Sequence, residues 1–166
     1  MSENPYESVT EPQHIPDILK VPPGNVLLMR AYGKGVQIYD CPISDPPTPK
    51  PHAILLKGDR DEGDLVAIHF AGPTGPNWQA LDGSTVVGKV MAKVASPDTD
   101  GVPWLLLKAT PSGGSGQFSQ VTYIQRLFTD GGQPPKSGCD QAHNQAKVLV
   151  EYSAQYFFYG PATGQK

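Results

Sequence analysis

The 166-residue chain contains no uncharged apolar run long enough to cross a bilayer as a helix and no convincing stretch of helix-period amphipathicity. It has no basic stripe either. Its 13 Lys and Arg are scattered among 16 Asp and Glu for a net charge of −3, whereas binding to nucleic acid or anionic membrane needs clustered cations. Both partners are therefore argued against. Cysteine is scarce: Cys41 and Cys139 stand far apart, neither at metal-ligand nor thioredoxin-like spacing, which leaves one long-range disulfide or two buried thiols. A bridge closing so long a loop stabilises by roughly 4–5 kcal/mol in the chain-entropy model and implies an oxidising compartment. The histidines His14, His52, His69 and His143 are dispersed, with no His-x-His or His-Glu-x-x-His pattern, and no Gly-x-Ser-x-Gly elbow surrounds any serine. No cofactor is expected, and no metal site is written into a local motif.

What the chain has in excess is punctuation. Eighteen Gly and eighteen Pro fall without a fixed repeat between short runs rich in Val, Ile, Leu, Tyr and Phe. Strands are expected over Asn25–Tyr32, Gly35–Cys41, Ala53–Lys57, Asp64–Phe70, Ser84–Lys93, Trp104–Thr110, Phe118–Phe128 and Lys147–Tyr159. The fold class is all-β, a single-domain sandwich or barrel of about eight strands with long Gly/Pro-rich loops. At most one short helix is expected, where Asp140 could cap a turn or two. Residues 1–21 should lie extended, with a short turn at Pro16-Asp17-Ile18-Leu19 and no apolar stretch of a signal peptide; residues 22–160 form the β domain and 161–166 a flexible tail. Period-two alternation puts Val86, Gly88, Val90, Ala92 and Val94 on one face of their strand, the better core face, and Lys89 and Lys93 on the other, solvated face.

The segment from Phe70 to Lys89 is the expected site. Gly72, Gly75 and Gly83 open backbone angles while Pro73 and Pro76 fix theirs, so a shaped loop displays His69, Trp78, Asp82 and Lys89. His69 is the one weak candidate for acid–base catalysis, or with Asp82 for a divalent ion; otherwise it is a hydrogen-bonded histidine at a strand end. Trp78 offers a face on which a sugar ring could stack, with Tyr32, Tyr39, Tyr123 and Tyr159 as further aromatics and Trp104 assigned to the core. Asp82-Gly83-Ser84 is most economically a turn, the aspartate bonding nearby N–H groups. Gln125 and Arg126 fall on opposite faces of one strand, so one points inward. For an inward Arg126, Asp40 or Glu151 would be the counter-charge in a structural pair.

Three stretches occur together: Gly35-Val-Gln-Ile-Tyr-Asp-Cys41, then Trp78-Gln-Ala-Leu-Asp-Gly-Ser-Thr-Val-Val-Gly-Lys89, then Pro103-Trp-Leu-Leu-Leu-Lys-Ala109 leading to Tyr123-Ile-Gln-Arg126, Gly131-Gly132 and Gly138-Cys-Asp140. Over residues 22–160 this combination resembles an uncharacterised bacterial and fungal domain-of-unknown-function family whose fungal members are often labelled malate dehydrogenase. The resemblance implies an exported single domain preceded by a signal peptide, a pattern from which this N-terminus departs. The dehydrogenase label is not supported by the residues: the Gly-rich run Gly113-Gly-Ser-Gly116 leads into a strand-like segment, not into the helix of a dinucleotide-binding βαβ unit. The leading expectation is a secreted or cell-envelope module binding a small molecule or polysaccharide, saccharide favoured, through His69, Trp78, Asp82, Lys89, Tyr123 and Gln125. The alternative is a β-barrel enzyme guiding isomerisation or cyclisation of an apolar molecule with His69, Gln125 or Tyr123. The third is an envelope protein that self-associates through strand edges.

Overall fold

Short β-branched and aromatic runs separated by turns bury a face only by pairing, and here the pairing runs full circle. In the computed structural model, which describes residues 11–162, eight antiparallel strands close into a barrel in chain order. They are β1 (Asn25–Asp40), β2 (Lys50–Lys57), β3 (Leu65–Gly72), β4 (Gly75–Ala80), β5 (Thr85–Val94), β6 (Trp104–Gly113), β7 (Tyr123–Gly131) and β8 (Lys147–Pro161). The remaining regular pieces are single 3₁₀ turns at Asp17–Leu19 and Gln141–His143. The second matches the expected short helix in place, but the Asp140 carboxylate bonds His143 Nδ1 and does not cap the turn. All-β with eight strands is the observed class, and the barrel is the arrangement taken.

The count of eight conceals two offsetting differences. Asn25–Tyr32 and Gly35–Cys41 are one continuous strand, because Gly33 and Gly35 are not turn residues but make room, Gly33 for the Tyr156 ring and Gly35 for the backbone of His52 and Ala53 in β2. Conversely β4 lies inside the segment read as a loop, joined to β3 by the tight connection Pro73-Thr74 and paired from Ala67↔Ala80 to Gly72↔Gly75. At the start of β7, Phe118 belongs to a turn, not to a strand. β8 runs past its expected end at Tyr159 to Pro161; residues 1–10 and 163–166, where the rest of the extended segment and tail were expected, lie outside the described residues.

The lumen is filled by an unequal mixture of sizes. Ala31, Ala53, Ala67, Ala109 and Ala154 face Trp78, Tyr156, Phe158 and Phe118 in one buried cluster. Two glycines make this possible: a Cβ on Gly33 would stand 2.5 Å from the Tyr156 ring, and one on Gly88 would stand 2.9 Å from that of Trp78. A small barrel has room for large rings only where the facing strand gives up its side chain.

A second cluster lies outside the barrel wall. Leu19, Trp104, Leu106, Leu127, Phe157 and Tyr159 pack together with Ile15, Val21, Leu27, Tyr123, Ala92 and Val94. The segment before β1 is thus a strap over β5–β8, and β8 is buried on both faces: Tyr156 and Phe158 inward, Phe157 and Tyr159 outward. Gln125 secures the strap, its Nε2 donating to Leu19 O at 2.8 Å while Tyr159 OH donates to its Oε1 at 2.8 Å. In β5 a register shift between Val90 and Ala92 reverses the faces midway, so Ala92 and Val94 turn to the strap and Lys93 turns to the lumen. The single core face expected for β5 and the shared solvated face of Lys89 and Lys93 are corrected by that bulge.

The two barrel ends differ. At one, Phe118 stacks on Phe158 at 4.9 Å and plugs the lumen. Asp82 ties that plug down: its Oδ1 accepts from Ser84 N and Oγ at 2.9 and 2.6 Å, its Oδ2 from Gln117 N at 2.8 Å, and Ser84 Oγ accepts from Phe118 N. Gly83 takes φ +91°, the turn conformation read from Asp82-Gly83-Ser84. At the other end Cys41, just past β1, and Cys139, in the β7–β8 connection, form a disulfide across 98 residues.

Candidate functional site

At the disulfide-bridged end the lumen opens into a cavity of about 500 Å³. Its walls come from inward positions of β1 (Gln37, Tyr39), β3 (His69, Ala71), β6 (Leu105, Leu107), β7 (Arg126) and β8 (Tyr156), with Pro46, Pro47 and Pro49 of the β1–β2 connection at the rim. One side is a seam. β4 keeps register with β5 only from Asn77↔Val87 to Gln79↔Thr85, whereas β5 continues beside β6 to Val94. Gly75 and Pro76 on one lip and Val90 and Lys93 on the other flank the stretch of β5 that β4 is too short to cover.

His69 and Trp78 are cross-strand partners in the β3–β4 hairpin, stacked at 4.2 Å between ring centroids with 11° between planes. The Tyr156 ring meets both edge-on, at 5.4 and 6.0 Å. His69 is 2% exposed, and its Nδ1 lies 2.8 Å from Asn77 O. A carbonyl can only accept, so the proton is on Nδ1 and Nε2 is left as an acceptor. Burial lowers the His69 pKa to about 3, opposed by the Asn77 carbonyl and reinforced by Arg126, and the ring is neutral at physiological pH. It stands ready as a hydrogen-bond acceptor and not as a cation.

Arg126 is the inward member of its pair with Gln125. Its Nε and Nη2 both donate to Pro103 O, at 3.0 and 2.8 Å. Neither expected counter-charge reaches it: Asp40 is paired with Lys147, and Glu151 is exposed on the outside of β8. Burial pushes the Tyr39 hydroxyl up to about 12, with Arg126 pulling the other way, and raises Tyr156 by the same contest. Tyr39 OH donates to Gly132 O at 2.5 Å, and Tyr156 OH pairs with Tyr152 OH at 2.8 Å.

Of the side chains expected to form the site, the fold brings only His69 and Trp78 to the cavity. Trp78 is a lumen residue, 1% exposed, and not a solvent-facing platform. Asp82 is at the plugged end, spent on Ser84 and Gln117, so His69 and Asp82 do not form a metal pair. Lys89 projects outside the wall, Tyr123 packs in the outer cluster, and Gln125 is the latch of the strap. The physical reason is one of face: each lies on the outer side of its strand. Gln37, Lys93 and Tyr156 were not expected at the site, and Tyr39 was expected only as a further aromatic. A signal existed for Gln37 and Tyr39 in the β1 row Ala31, Gly33, Gly35, Gln37, Tyr39, where a polar residue follows small ones on one face.

The disulfide is compatible with an extracellular or envelope location, and no helix among the described residues is long and apolar enough to cross a membrane. No curated protein and no solved structure matched the chain. A family model does match, over residues 54–160, a span that holds β3 to β7 and nearly all of β8 together with His69, Trp78, Lys93, Arg126 and Tyr156. The chain accordingly belongs to the family described as "Protein of unknown function (DUF3455)".

Proposed function

We propose that this protein is a ligand-binding barrel that takes a small molecule into the cavity at its disulfide-bridged end, in an extracellular or cell-envelope setting. The supporting observation is the cavity itself: a preformed space of about 500 Å³, mostly apolar, with a few convergent polar groups, has the size and make-up of small-molecule sites. A small ligand suits it better than a polysaccharide, because Trp78 has no exposed face on which a polymer could lie. Self-association through strand edges has less support, since among the described residues β1 pairs with β8 and no whole strand is an edge.

The test uses N-phenyl-1-naphthylamine, a neutral dye that brightens in apolar sites. Ala71 is exposed at the cavity lip, so Ala71→Trp should block dye uptake by tenfold or more while leaving the melting temperature within about a degree. Dye brightening that is the same for both proteins places the dye elsewhere and removes this reading.

One observation favours catalysis as a second reading: His69, whose Nε2 is left as an acceptor, and Tyr156 line the same cavity. In an isomerisation or cyclisation His69 would serve as the hydrogen-bond partner expected of it, with Tyr156 in the role given to Gln125 or Tyr123.

A further inference from the structure

The charged groups of the cavity wall are all of one sign. Arg126 lies inside and Lys93 at the lip, and among the described residues no Asp or Glu lines the cavity. Among the described residues Arg126 takes part in no ion pair. Pro103 O occupies its Nε and one Nη2 hydrogen, so the rest of its five N–H donors are not committed to that carbonyl. A guanidinium set into an apolar wall is costly without an anion. The neighbouring phenols do not supply one, because burial keeps Tyr39 and Tyr156 protonated.

A second, independent observation points the same way. Gln37 is 1% exposed and lines the cavity, yet among the described residues its Nε2 has no acceptor; Trp78 Nε1, in the same wall, has none either. A buried donor left unpaired is costly, and two in one cavity are the complement of acceptors on a ligand. The complement of a guanidinium, an amide N–H and an indole N–H is an acceptor-only head. The complement of Leu105, Leu107, Val90, Val102 and the rim prolines is an apolar body.

We infer that the cavity takes an organic acid with an apolar body, its carboxylate held by Arg126 and Gln37 and drawn in past Lys93. This rests on the reading of the cavity as a ligand site. Lys93 acts by steering, raising the local concentration of anions at the lip.

The experiment compares decanoate with 1-decanol, the same chain without the charge, as competitors for N-phenyl-1-naphthylamine on the full chain at pH 7, below the micellar range. Decanoate should displace the dye at least about tenfold more effectively, as one charge-assisted hydrogen bond would give. Arg126→Gln should bring the ratio close to one while the dye still binds. Gln37→Leu, which leaves the Pro103 contact alone, should lower the ratio and keeps the test intact if Arg126→Gln fails to fold. Equal displacement by the two competitors, or displacement by decanol alone, overturns the organic-acid inference and leaves the cavity reading standing. Absence of dye binding to the wild-type chain overturns the cavity reading, and this inference with it.

Discussion

His69 shows how far a single residue's surroundings decide its chemistry. An imidazole whose pKa drops from 6.5 to about 3 on folding is protonated more readily in the unfolded chain. Its contribution is therefore fully present above pH 6.5 and is lost as pH falls toward 3, by roughly 1.4 kcal/mol per pH unit at the steepest. Urea midpoints measured from pH 7 to pH 4 should fall more steeply for wild type than for His69→Phe, which keeps a ring against Trp78 but cannot bind the proton. Parallel profiles would mean that His69 is not the buried neutral ring described. Trp78 belongs to the same argument. A solvent-facing tryptophan could be cut to alanine at little cost, but one enclosed by His69, Tyr156 and Phe158 should cost about 3–5 kcal/mol in chemical denaturation as Trp78→Ala.

At the scale of elements, the strap and the β5 bulge do most to separate inside from outside. Without the strap, Phe157 and Tyr159 would leave large apolar surface on the outer wall, and burying each such side chain is worth about 1.5–3 kcal/mol. Gln125 connects strap to wall at one point, so Gln125→Leu strands Leu19 O and Tyr159 OH together. The variant should lose about 1–3 kcal/mol, and trypsin should cut after the exposed Lys20 several-fold faster than in wild type. Unchanged cleavage would show that the apolar contacts alone hold the strap. The bulge has a different consequence. It swaps the faces of β5 at its middle and so carries Lys93 to the cavity lip while Lys89 stays outside.

For the whole molecule, closure and the disulfide work on the same end. β1 and β8 pair along nearly their full lengths, and the bridge then joins the connection leaving β1 to the one arriving at β8, next to the rim of the cavity. Replacing both cysteines, as Cys41→Ser with Cys139→Ser, should lower stability by about 4–5 kcal/mol through the long loop it opens. The rim is where the bridge lies, so the same variant should weaken dye uptake under conditions where it remains folded. Full affinity in the folded double variant would show that the strands alone shape the mouth.

Strand content and the turns at Asp82-Gly83 and Asp17–Leu19 were legible in the chain, because they depend on neighbours in sequence: β-branched and aromatic runs, and residues suited to particular backbone angles; the count of eight agreed because the merged β1 offset the missed β4. The cavity was not. Alternation identifies two faces of a strand but cannot name the lumen when the strap covers the other side, as in β8, and it loses phase at a bulge with no sequence signature, as in β5. Gln125 and Arg126 were read as opposite in facing, yet only the closed sheet decided which would lie beneath the strap and which in the cavity without a counter-charge. Closure depends on pairing residues more than a hundred positions apart, such as Asn25 and Pro161, and that non-local geometry brings His69, Trp78, Arg126, Gln37 and Tyr156 to one wall.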